Sequence, residues 1–403
     1  MKYDVVIVGG GMVGASLALA LAPLKLKVAL IEAFAPDSAA QPSFDERTTA
    51  LSNGSRRILD TLKVWESLKS AAAPIAKIHV SDQGRFGFAR IDAASQGLAA
   101  LGYVVPNRLL GKVLWGRLEG SGIEVHCPAR VLSVRREADA VHLTLDAHQQ
   151  AVSARLVVAA DGADSAVRTA LGIEADSRDY GQTALITTVL PQRFHEHVAY
   201  ERFTNDGPLA LLPLADGRCT LVLTLKPEAA EQALSWSDEA FLAELQRRFG
   251  FRLGRFLKVG RRVAYPLALT RARELGAARC LIIGNAAQAL HPVAGMGFNL
   301  GLRDAASLAE LIADHAAEPG FDFGLPALRQ AYEDWRADDR RGVVAFTDGL
   351  VRTFASPLRV VALARSAGLL AFDLLPPAKA ALSRLSTGAS ARMPKLARGV
   401  PLT

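Results

Sequence analysis

The chain has 403 residues, 50% of them hydrophobic and 22% charged. That length is too great for a single compact core, so about two to three domains are expected. Cys127, Cys219 and Cys280 are widely spaced, which argues against a disulfide framework or a cysteine metal cage and fits reduced thiols in a cytoplasmic protein.

The net charge of +7 falls within residues 341–403, where nine Lys/Arg stand against two acids. Long aliphatic stretches and few aromatic residues in that region point to an anionic membrane surface and away from nucleic acid. The N-terminus enters a strand at once, leaving no room for a signal peptide. No apolar run is long enough to span a bilayer.

In chain order, "YDVVIV", "GGGMVG", "ASLALALAPL" and "KVALIE" read as strand, glycine turn, helix and strand over 3–32. The first strand is apolar throughout, as a parallel strand covered on both faces should be. Residues 45–75 read as mostly helical, 77–105 as strands, and 107–118 as a helix. "ARLVVAADGADSAVRTALG" at 154–172 repeats the strand, Asp-Gly turn and helix pattern. From 181 to 270 short apolar runs alternate with Pro, Gly and Asp, the texture of an inserted, mostly antiparallel sheet. "RCLIIGNAAQAL" returns to the earlier style, and helices follow.

Three corners carry chemistry. Gly9, Gly11 and Gly14 form G-x-G-x-x-G between strand and helix, with Glu32 ending the second strand. This spacing brings a pyrophosphate onto free N–H groups at a helix start and an acid onto a ribose. "DGADSAVR" sets Asp161 at a strand end. In "IIGNAAQALHPVAGMGFNLGLRD", Asn285 can hydrogen-bond a polyol, while Gly295 and Gly297 admit a flat ring against bare backbone before a helix begins near Asn299.

Together these stretches resemble the three fingerprints of FAD-dependent aromatic hydroxylases. "FDERTTALSNGSRRIL", "ERFTNDGPLALLPLADGRC" and "HPVAGMGFNLGLRD" resemble the ubiquinone-biosynthesis branch of that family, and the likeness runs from about residue 3 to about residue 375. The wider family mostly has Asp at the position of Asn285 and usually His at that of Gln288. "GNAAQ" is similar to the branch acting on a polyprenylated 6-methoxyphenol.

The resemblance implies an α/β chain with a Rossmann-like FAD-binding domain (1–76, 101–180 and 271–349). It also implies an inserted substrate sheet (77–100 and 181–270) and a helical, basic C-terminal segment (350–403). Gly9, Gly11, Gly14 and Glu32 would hold the ADP half of FAD, and Arg47 and Arg108 would oppose phosphate. Val131 would offer backbone to the adenine, Asp161 would touch FAD, and Asn285 would hold the ribityl chain. Gly295, Gly297, Phe298 and Asn299 would line the flavin.

NADPH or NADH would reduce the flavin, and dioxygen would give a C4a-hydroperoxide that hydroxylates a polyprenylated phenol. Other ubiquinone-biosynthesis proteins are implied as partners, and an oligomer is left open. Two rivals stay open: a sister hydroxylase acting at another ring carbon, and a non-hydroxylating prenyl-lipid reductase.

His291, Pro292 and Gly295 form the candidate catalytic corner. His291 is a candidate for holding the substrate hydroxyl or assisting its deprotonation, the alternative being a histidine satisfying backbone in a tight turn. "HEH" at 195–197 reads as a solvated loop and not as a metal pair. Phe203, Leu212, Pro213, Tyr265 and Pro266 are candidates for the substrate wall. Arg352, Arg359, Ser366 and Asp373, each seven apart, share a helical stripe that either packs on the body or lies on a membrane.

Overall fold

The computed structural model describes residues 2–38, 41, 45, 47–146, 151–292, 295–318, 320–355, 359–375, 377–379, 381 and 392–403. Among the described residues, strands form sheets of eight, nine and three. In the eight-stranded sheet, Cys280–Ile282, Ala151–Ala159, Lys2–Val8, Val28–Ile31 and Glu124–His126 lie side by side and parallel. Val5, Val6 and Ile7 are fully buried, because the helix Met12–Leu21 covers one face of the sheet and other elements the opposite one. That helix carries Ala, Leu or Gly at seven of its ten positions and is buried almost all round.

The nine-stranded sheet is antiparallel apart from the pairing of Val198–Phe203 with Lys77–Asp82. Its strands come mainly from 77–92 and 175–272, with Gln288–Ala289 added at one edge. Side chains alternate across a strand, so each strand sends half its residues to each face. Leu185, Leu209, Leu211, Leu221 and Leu223 point to one face and, with Phe241, Leu245 and Phe249 of the helix Asp238–Phe249, form a closed core. The opposite face carries Ile186, Ala210 and Val222, all half-buried.

The three-stranded sheet corrects the helical reading of 45–75. Thr48–Ser52 is a strand paired with Gly102–Pro106, and the helix is confined to Asn53–Thr61. The two threonines favour extended backbone, and Ser52 caps the helix by accepting from the Ser55 N–H at 3.2 Å.

At the C-terminal end, a 30-residue helix spans Pro326–Ala355 and a second spans Arg359–Leu374. The side chains of Arg352 and Arg359 lie outside the described residues. The rest of the polar stripe packs on the body. Asp373 accepts from the Arg90 N–H at 2.7 Å, a Cβ on Gly87 would lie 2.6 Å from the Cα of Ser366, and Arg365, beside the stripe, reaches Asp82 at 2.6 Å. The final turn, Lys395–Arg398, docks on the first domain: Leu396 and Ala397 join its core, and Glu310 accepts from the Lys395 N–H.

Candidate functional site

Three adjacent parallel strands, Val8, Ala159 and Ile282 at their carboxyl ends, each open into one of the three corners. Such a row of strand ends forms the usual ligand crevice of an open α/β sheet. The corners touch through glycine. A Cβ on Gly9, whose φ is +102°, would lie 2.5 Å from the Ala160 carbonyl oxygen, and one on Gly14 would lie 1.9 Å from that of Gly9. Val13 contacts Gly284 and Gly301, which joins the first corner to the third. Gly11 caps the Met12–Leu21 helix with no side-chain bond, so its first N–H groups are available to an anion.

Glu32 is buried, and its two oxygens accept from the N–H groups of Gly10 at 2.5 Å and Phe34 at 2.9 Å. Each carboxylate oxygen keeps a second lone pair for a ribose hydroxyl. Trp115, which no motif marks, donates from Nε1 to the Gly10 carbonyl at 2.9 Å and pins the loop from above. Arg108 lies seven residues earlier on the same helix, exposed and on the same stripe as Trp115. Ala129 donates to the Glu32 carbonyl at 2.8 Å, which sets Val131 beside this end of the crevice.

Asp161 accepts from the Ser165 hydroxyl at 2.5 Å and the Val167 N–H at 3.2 Å. Burial raises its carboxyl above the ordinary value, and these two bonds work in the opposite direction. Arg168 donates to the Ala286 carbonyl at 2.9 Å and the Ala163 carbonyl at 2.8 Å, tying the second corner to the third.

In the third corner Asn285 is exposed and forms no hydrogen bond among the described residues, as a side chain kept for a ligand would be. Gly295, with φ of +59°, starts the helix Met296–Ala316 without a side-chain cap, and a Cβ on Gly297 would meet nothing within 4 Å. The N–H groups of Met296, Gly297 and Phe298 are thus the free ones, and Phe298 is half-buried against the core.

Asn299 has its side chain committed to the protein. Its side chain is buried, donates to the carbonyls of Ala50 at 2.8 Å and Gly295 at 2.7 Å, and accepts from the Ser52 N–H at 2.8 Å. It staples the helix start to the strand Thr48–Ser52.

His291 is 1% exposed, and its pKa is lowered by burial to about 4. Its ring meets that of Tyr180 edge-on at 5.3 Å. Pro292 beside it is exposed, and Val293 and Ala294 lie outside the described residues.

Arg47 stacks over the Tyr265 ring at 4.6 Å and pairs with Asp45 at 2.6 Å, which in turn accepts from the Tyr265 hydroxyl at 2.8 Å. This trio joins the nine-stranded sheet to the first domain. Thr48 and Thr220, 3.1 Å apart, make a second bridge. The half-buried face of the sheet therefore looks toward the crevice. Phe203, Leu212 and Tyr265 belong to that face, whereas register turns Pro213 and Pro266 to the helix-covered side. The expected wall mixed two faces because strand parity follows pairing, which composition does not reveal.

The histidine pair also differs from expectation. His195 is fully buried, with Nε2 at 3.0 Å from the Leu214 carbonyl, and burial lowers its pKa.

Behind the third corner lies a buried ionic network without a sequence signature. Asp304 accepts from the Gly284 N–H at 3.3 Å, from Gln288 at 2.8 Å and from Arg336 at 2.8 Å. Asp339 pairs with Arg303 and Arg336, each at 2.7 Å, and Arg340 donates to Gln288. Burial opposes the charge on Asp339, but the two arginines outweigh it and hold its pKa down. The adjacent "RD" of "GLRD" and the arginine-acid run "WRADDRR" are its only trace in the sequence.

Residues 2–347 match the family described as FAD binding domain. The chain is 40% identical to Ubiquinone hydroxylase UbiL of Rhodospirillum rubrum, over 99% of this chain and 93% of that one. It is 30% identical to 3-demethoxyubiquinol 3-hydroxylase of Escherichia coli, over 92% and 94%. Among solved structures, p-nitrophenol 4-monooxygenase PnpA from Pseudomonas putida shares the fold with a TM-score of 0.80 at 18% identity, covering 97% of this chain and 99% of that one.

Proposed function

Because the chain belongs to the FAD-binding ubiquinone-biosynthesis hydroxylases, a family of flavin-dependent aromatic monooxygenases, we propose that it converts 2-polyprenyl-6-methoxyphenol to 2-polyprenyl-6-methoxy-1,4-benzoquinol. The observation that carries this reading is the face of the nine-stranded sheet turned toward the crevice. Ile186, Ala210, Leu212 and Val222 make it aliphatic and half-open, a surface suited to a prenylated ring. The likeness of "GNAAQ" to the methoxyphenol branch supports the ring position.

The protein's residues fit FAD. The glycine loop excludes side chains where a pyrophosphate must approach, and Asn285 stands ready for a polyol. When bound and reduced by NADH or NADPH, FAD supplies with dioxygen the electrophilic oxygen that the ring receives. The open N–H groups of Met296 to Phe298 would offer positive charge to the bound cofactor. Asn299 and Gly295 fix that helix start, and the aliphatic sheet face excludes water from the ring. His291, neutral and enclosed, orients the corner through Tyr180.

Contact with an anionic membrane is part of the same reading, since a polyprenylated phenol resides in lipid. Leu363, Leu374 and Leu375 are exposed on and just beyond the Arg359–Leu374 helix, whose described polar stripe faces the body.

Turnover of 2-prenyl-6-methoxyphenol by holoenzyme under labelled dioxygen tests the reading. The expected product is the para quinol carrying one labelled oxygen. Oxygen at another carbon would assign the enzyme to a sister step, and reduction without incorporation would make it a reductase.

A further inference from the structure

The strand Val198–Phe203 places one carboxylate on the aliphatic face that looks toward the crevice. Glu201 lies opposite Val80 on one side and Ala210 on the other, and the same row continues through Val222 to Ile186. All four of those residues are apolar, and Val80 and Ala210 are the direct cross-strand neighbours. The residues two before and two after Glu201 lead to the two sides of the flavin corner. Ala199 packs in a cluster with Ala50, whose Cβ lies near Gly295. Phe203 packs in a cluster with Tyr180, whose ring meets His291. Glu201 is thus bracketed between the Gly295 and His291 ends of the third corner.

The carboxyl has no hydrogen-bond or ion-pair partner among the described residues. Glu201 is half-buried, so its carboxyl stands at the edge of the aliphatic face, and an unpartnered carboxylate beside apolar surface is open to a ligand donor. Loss of hydration alone raises its pKa to about 7, with no charged neighbour contributing. A base so raised lies closer to a phenol, whose pKa is about 10, than an ordinary carboxylate near 4.3 does.

We propose that Glu201 is the catalytic residue that receives the ring hydroxyl of the phenolic substrate, accepting its hydrogen bond and then its proton. In that step the phenol O–H bond breaks and the proton moves to a Glu201 oxygen. The electron pair stays on the phenolate oxygen, which directs electron density to the ring carbon para to it. No oxidant is consumed. The inference rests on the methoxyphenol reading above.

The test compares binding of 2-prenyl-6-methoxyphenol and its O-methyl ether to the FAD-loaded enzyme, read from perturbation of the flavin absorbance. Wild type is expected to favour the phenol by about 10-fold or more, the scale of one charge-assisted hydrogen bond. Glu201→Leu is expected to bring the ratio near one, and Glu201→Asp to keep part of the preference, with FAD content unchanged in both. A residue that only supports the sheet would weaken both ligands alike. The same ratio in wild type and Glu201→Leu would overturn the inference and leave the substrate reading standing. Failure of wild type to bind either compound would overturn both.

Discussion

The Arg168 guanidinium donates to the Ala286 carbonyl at 2.9 Å, across 118 residues of sequence. With its second bond to Ala163, it holds the Asp161 corner and the Asn285 corner in fixed relation. Arg168→Met removes both bonds while keeping much of the stem. FAD affinity is expected to fall by about 10-fold or more, with smaller change in folding, since one charged hydrogen bond to a fixed acceptor is worth about 1.5–3 kcal/mol. Titration of apoenzyme with FAD, followed by flavin fluorescence, checks this.

Gly14→Ala and Gly284→Ala should differ sharply. The first sets a methyl 1.9 Å from the Gly9 carbonyl oxygen, which only movement of the loop relieves. The second puts alanine at a φ of +58° with Val13 at 3.2 Å, a strain of about 1–3 kcal/mol. Soluble yield and the ratio of flavin to protein absorbance are expected to collapse for Gly14→Ala and to fall modestly for Gly284→Ala.

Arg336 is 1% exposed and bridges Asp304 and Asp339, themselves 0% and 2% exposed. Arg336→Met leaves two buried carboxylates short of a partner. Breaking such a pair costs about 3–5 kcal/mol, and the urea midpoint is expected to fall accordingly. FAD binding should weaken with it, because Asp304 also accepts from the Gly284 N–H.

Two groups give opposite pH slopes. His291 is held near 4 in the folded protein, below its ordinary 6.5. Its contribution is present above about 6.5 and is lost as pH falls from there through about 4. Glu201 is raised from 4.5 to about 7, so its contribution is present below 4.5 and is lost as pH rises through about 7. Chemical denaturation between about pH 5 and 8 should show wild type losing ground to His291→Gln on acidification and gaining on Glu201→Gln.

Replacing Leu363, Leu374 and Leu375 with Asp removes exposed apolar surface while leaving Arg365 and Asp373 on their partners. Flotation with vesicles containing anionic lipid is expected to drop, with activity on a short-chain phenol unchanged. Equal flotation by the variant would locate membrane contact elsewhere.

The three glycine-bearing corners are legible in the sequence because each is local: an apolar strand, small residues at the turn, then a helix. The bonds made by Trp115 and the Asn299 side chain are not legible in the sequence, because their partners, Gly10 and Ala50, are distant in the chain. The ionic network is hidden for the same reason, its members lying on two helices and a loop. The facing of Pro213, Pro266 and Glu201 is not legible either, because facing direction is decided by strand register over the whole sheet. The helical reading of 45–75 failed where Thr48 and Thr49 pair with Val105 and Pro106.

The alternation within Pro208–Pro213 and Cys219–Leu225 has a consequence for how such an enzyme can change. Leu209, Leu211, Leu221 and Leu223 serve cohesion, while Ala210 and Val222 between them face the crevice. Every second codon can therefore be rewritten for a bulkier or shorter molecule while the intervening codons keep the scaffold intact. Selectivity and foldability are interleaved on the same strands yet separately adjustable, so a library randomised at one parity alone should yield mostly folded proteins with diverse preferences.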